Sequence, residues 1–144
     1  MEKREIIKRR FIFMADYGKA WGWQTNYYDD GFIACDGCIA DVLTETIWCD
    51  KGSAKISPAL RRAINKWQIH FEQYATDDYD YASRKERELT DTFDWDGWNK
   101  VGIRLAYLVK KQIGHLFDEF YYDYPCEDKD FKKVWRRTKG VEIK

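Results

Sequence analysis

Apolar residues recur along this chain in two rhythms, one suited to strands near both ends and one suited to helices between them. Residues 10–17 form a nearly continuous apolar run, Phe11-Ile-Phe-Met-Ala15 at its centre, closed by Gly18. Such a run suits a strand covered on both faces, and therefore an inner position in a sheet. Residues 19–31 carry the breakers Gly22, Asn26, Asp29, Asp30 and Gly31, which predict a long loop or an irregular hairpin. Short strands are expected at 32–34 and 44–49, separated by an Asp36-Gly37 turn signal.

Helical spacing then takes over. Ser57 is a natural N-cap and Pro58 suits the first helical position. Leu60, Ile64, Trp67, Phe71 and Tyr74 follow on one stripe, so a helix over 58–75 should pack that stripe on the sheet. A second helix starts at the N-cap Asp94, with Phe93 and Trp98 placed as a hydrophobic staple. Trp98, Val101, Leu105, Leu108 and Val109 predict its apolar face, and Gly114 after Lys110 and Lys111 predicts its end. Alternation over 116–124, ended by Pro125, predicts a last strand. The order implies an α/β or α+β fold. We expect a two-layer single domain over 1–144, a mixed sheet packed by two main helices, with charged N- and C-terminal ends.

The 144-residue length suits one domain with a real core. Acidic and basic residues balance at 25 each, which argues against a uniform field drawing the molecule onto nucleic acid or an anionic membrane. The balance is local as well as global only in part: Lys3, Arg4, Lys8, Arg9 and Arg10 make the start basic, and Lys132, Lys133, Arg136, Arg137 and Lys139 do the same near the end. No apolar run approaches the roughly 20 residues that span a bilayer, and no apolar leader follows the charged start. A cytoplasmic protein is expected, in which Cys35, Cys38, Cys49 and Cys126 are reduced thiols.

Little in the chain points to catalysis. Cys35-Asp-Gly-Cys38 has the spacing of a zinc half-site or a redox dithiol, and Cys49 or a histidine could complete it. That metal or redox centre is the alternative reading. The turn reading, small apolar side chains around Asp36-Gly37, is preferred because no second ligand pair has ligand spacing. His70 flanks the first helix stripe and His115 follows Gly114, both ordinary structural positions. No sequence-local arrangement shows a nucleophile with its base, and Gly18 and Gly22 match no phosphate-binding glycine loop. Asp94-Trp-Asp-Gly97 looks superficially like a calcium loop but lacks the ligand spacing, and capping explains it. No catalytic residue and no cofactor is therefore assigned.

The clearest functional signal lies at 71–98, where nine carboxylates and only three basic residues alternate with aromatic rings. An acidic surface carrying Tyr and Trp can steer a basic partner and then anchor it. Asp77, Asp78, Tyr79, Asp80 and Tyr81 are the expected partner-binding residues. A second alternative is an acidic nucleic-acid mimic of mobile-element origin, although Arg84, Lys85 and Arg87 interrupt its charge pattern. The basic ends, with Phe11, Phe131 and Trp135, could contact nucleic acid by charge and stacking, but the neutral total and the acidic segment argue against it.

Three pieces together resemble small bacterial immunity proteins of toxin–immunity systems. They are Met14-Ala-Asp-Tyr-Gly18 closing an early strand, the Ser57-Pro58 helix bearing Trp67, and Phe93-Asp-Trp-Asp-Gly-Trp98 opening a helix. The resemblance implies a cytoplasmic inhibitor that binds one toxin domain and performs no chemistry. The chain departs from the net-acidic immunity proteins that neutralise nucleases, being neutral overall.

Overall fold

The computed structural model describes residues 4–16, 19–41, 46–76, 81–125 and 140–144. Strands β1 (Ile6–Asp16), β2 (Lys19–Tyr28) and β3 (Ile33–Asp41) come first, then a separate ribbon of β4 (Ile47–Cys49) and β5 (Gly52–Ala54). Helices α1 (Pro58–Tyr74), α2 (Arg84–Thr92) and α3 (Trp95–Ile113) follow, and β6 (Glu119–Tyr122) and β7 (Val141–Glu142) come last. The five-stranded sheet has the order β3-β2-β1-β6-β7 and is mixed: β1 and β6 are parallel, the other pairs antiparallel. This is an α+β fold, and β1 takes an inner place in the sheet, but its run is buried on one face only: Phe11, Phe13 and Ala15 are buried while Ile12 and Met14 are half-buried.

One sheet face carries the core. Phe11, Phe13 and Ala15 alternate inward on β1, and Phe120 and Tyr122 stand beside Phe11 and Phe13 in register on β6. Against them α1 buries Leu60, Ile64, Trp67, Gln68 and Phe71, close to the stripe its spacing predicts. Its start is as expected: Pro58 opens the helix and Ser57 accepts from the Leu60 amide at 3.2 Å. The two helices meet through paired indoles. Trp67 and Trp98 stack at 4.3 Å and 6°, and each donates its Nε1–H to the other's backbone carbonyl, at 3.0 and 2.9 Å. This geometry satisfies two buried donors while burying two large rings.

Five expectations need correction. Residues 19–28 form a ten-residue strand, because Trp23, Thr25 and Tyr27 alternate with Ala20, Gly22, Gln24 and Asn26 and β1 supplies a complete ladder. Gly37 sits inside β3 opposite Gln24, next to a register shift, so it marks a bulge instead of the expected turn. The acidic segment, read between the two expected helices without a helix of its own, contains α2. Its N-cap Ser83 accepts from the Glu86 amide at 3.2 Å and donates its hydroxyl to the Glu86 carboxylate at 3.0 Å. Helix α3 is also rotated from its expected face: Asn99, Gly102 and Ala106 are buried, while Val101 and Leu108 are 47% and 38% exposed. Small residues explain the rotation. A Cβ at Gly102 would lie 2.6 Å from Tyr122 and 2.7 Å from Trp67, so only glycine permits this close approach. The final strand is shorter than 116–124, since Leu116 and Phe117 are buried in the turn before β6.

The basic start is part of the sheet. Arg9 grips Asp50 through two nitrogens and also faces Asp118, which fastens the β4–β5 turn to β1. The Asp50 carboxyl is held below its ordinary range by that guanidinium, and Arg9 is raised in turn.

Candidate functional site

The acidic segment splits by residue type. Its carboxylates Glu72, Glu86, Glu88, Asp91, Asp94 and Asp96 are exposed around the end of α1, along α2 and at the start of α3. Its rings mostly turn inward: Trp95 and Trp98 are 1% and 5% exposed, and Tyr74 stacks on Phe93 at 4.3 Å. The expected acid–aromatic surface is thus an acid surface over an aromatic layer, because these rings supply the packing between α1 and α3. Tyr81 is the exception at 89% exposed. Asp77, Asp78, Tyr79 and Asp80 lie outside the described residues.

Several of these carboxylates also have local partners. Asp94 caps α3 by accepting from the Gly97 amide at 3.0 Å, and Arg84 pairs with Glu88 one turn on. Capping leaves the negative charge in place, so the field of the face persists. The platform itself is fixed by threonines. The Thr90 hydroxyl donates to the Tyr74 carbonyl at 2.6 Å and meets the Thr76 hydroxyl at 2.5 Å, while the Trp95 indole donates to the Thr90 carbonyl at 2.8 Å.

Beside this face, α1 and α3 enclose a groove of about 470 Å³. Trp67, Trp98 and Leu105 form its floor, with Ala63, Phe93 and Val101 on the walls. Lys66 and His70, one helical turn apart on α1, stand at its mouth with Asp94 on the α3 side. His70 is exposed there, and the sequence treated it only as a helix flank. The missed signal is the offset of Ala63, Lys66 and His70 by one position from the buried stripe, together with more apolar residues on α3 than its core face needs.

The cysteine alternative gains no support from the one described thiol. Cys49 Sγ donates to the Leu116 carbonyl at 3.2 Å and accepts from the Lys51 amide, a structural role in the β4 turn. Cys35 and Cys38 lie in β3, opposite Thr25 and Trp23. Among the described residues no group of three or more His, Cys, Asp or Glu could hold a metal ion.

The sheet face turned away from the helices carries a saturated charge cluster. Glu119 accepts from Arg10 at 2.8 Å and pairs with Lys8 at 3.1 Å, and Arg10 lies 4.1 Å over the Tyr121 ring. Burial would raise the Glu119 carboxyl, but the bonds from Arg10 and Lys8 outweigh it and hold it low. Asp123 nearby is pushed up to about 6 by burial, against the pull of Arg10. These cations are already committed to Glu119 and to rings, which leaves them poorly placed to bind a further anion.

No helix among the described residues is long and apolar enough to cross a membrane. Comparison with protein-family models, with curated proteins and with solved structures returned no match.

Proposed function

We propose that this protein is a binding module of the immunity type, which neutralises a toxin or another partner protein by docking and does so in the cytoplasm. The partner surface it suits is basic. The observation that carries the reading is the segregation of charge: nine carboxylates and three cations lie within 71–98 of a chain that is neutral overall. The rest of the molecule must therefore carry the opposite excess, and a dipolar molecule presents its acidic end to an approaching cationic surface. Tyr81, exposed at that end, supplies a rigid ring that can become buried on docking. Asp77, Asp78, Tyr79 and Asp80 complete the proposed contact set.

The test is comparative capture from the native host at physiological salt. Wild-type protein and a variant with Asp77, Asp78 and Asp80 replaced by Asn serve as parallel baits. The reading expects one protein retained by the wild type and lost from the variant. Retention of the same proteins by both baits, or of none, contradicts it.

A further inference from the structure

We propose that the groove between α1 and α3 binds a free amino acid with a large apolar side chain. This goes beyond the protein-binding reading and does not depend on it. The floor and walls are indole, phenyl and aliphatic surface, which favours an apolar body. Its volume, about 470 Å³, lies in the range of small-ligand sites, roughly 300–1,000 Å³.

The charged groups at the mouth decide the ligand's polar end. Among the described residues, neither the Lys66 ammonium nor the His70 imidazole is paired with a carboxylate, although the chain holds 25 acidic residues. Both belong to the α1 wall and can donate to an anion. Asp94 belongs to the other wall and carries the opposite charge. One of its oxygens accepts from the Gly97 amide, which leaves its second oxygen as an acceptor. A simple acid would leave Asp94 facing a like charge, and a simple amine would face Lys66. A zwitterion matches both walls: its carboxylate goes to Lys66 and His70, its ammonium to Asp94, and its side chain to the Trp67–Trp98 floor. The stacked indoles are held by their own hydrogen bonds, so the floor is preformed.

Titration calorimetry with L-phenylalanine, 3-phenylpropionate and 2-phenylethylamine tests the assignment on the full chain. L-phenylalanine should bind one to one with a Kd of roughly 0.1–1 mM, and both truncated analogues about tenfold more weakly or worse. Lys66→Met and Asp94→Asn should each weaken L-phenylalanine by about tenfold. Asn is as good an N-cap as Asp, so Asp94→Asn removes the charge while keeping the helix start. Circular dichroism of both variants verifies the fold. Absence of saturable binding by L-phenylalanine, L-leucine and L-tryptophan overturns the proposal. So does equal binding of either truncated analogue, or unchanged affinity in both variants.

Discussion

Replacing Gly102 by Ala sets helix propensity against packing, and the two predict opposite signs. In an exposed helix interior the change would stabilise by about 1 kcal/mol. Here the new Cβ would stand 2.6 Å from Tyr122 Cε2 and 2.7 Å from Trp67 Cζ2, against an ordinary carbon contact of about 3.5–4.0 Å. One or both rings must retreat, and both are pinned. Trp67 is stacked on Trp98 and donates to its carbonyl, while the Tyr122 hydroxyl donates to buried Asn99. Overpacking costs about 1–3 kcal/mol, and pinned neighbours place this case in the upper part of that range. Subtracting the propensity gain leaves a net loss of about 1–2 kcal/mol. Urea unfolding followed by far-UV circular dichroism measures it, as a lower midpoint with an unchanged slope. Val101→Ala, one position earlier and exposed, should stay within about 0.5 kcal/mol of wild type. A Gly102→Ala protein as stable as wild type, or more so, would refute the close-approach argument.

Trp67→Ala should cost about 3–5 kcal/mol in the same assay, through the cavity it leaves beneath α1. A loss below about 1 kcal/mol would show that the indole pair does not hold the helices together. Thr90→Val keeps the shape but strips the hydroxyl that ties α2 to the Tyr74 carbonyl, so it should cost about 1–3 kcal/mol and speed proteolysis near α2; unchanged cleavage would contradict this. Asp123→Asn tests the half-buried carboxyl by its pH signature. With a folded pKa of about 6 against an ordinary 3.8, the folded state binds the proton more tightly, so wild type loses stability as pH rises through that window. The Asn variant should match wild type at low pH and exceed it above about pH 6, and parallel pH profiles would refute the assignment.

The sequence disclosed those features that local chemistry dictates. Ser57-Pro58 and Asp94 mark helix starts that need no tertiary contact to be read, and the central place of β1 follows from its unbroken apolar run. It misled where one residue type serves two purposes. Gly22 and Asn26 looked like breakers, yet β2 tolerates them because β1 and β3 flank it on both sides. Gly37 signalled a backbone irregularity, and local chemistry could not distinguish a turn from a bulge. The rotation of α3 depends on which large rings face Gly102, a fact set by Tyr122 and Trp67 from two other elements. The acidic face was legible as charge, but the burial of Trp95 and Trp98 was not, since an aromatic suits a core and an interface equally well.

The central claim, that the acidic end docks a basic partner, is tested most directly by the association kinetics of the captured partner at low and physiological salt. On the proposed reading Asp77, Asp78 and Asp80 act through the long-range field and contribute little to folding. The variant with Asp77, Asp78 and Asp80 all replaced by Asn should therefore associate more slowly, with a flatter salt dependence and nearly unchanged stability. Tyr79→Ala and Tyr81→Ala should instead speed dissociation, because a ring contributes after docking. Association of the triple variant at the wild-type rate in low salt, or its unfolding, would contradict the account.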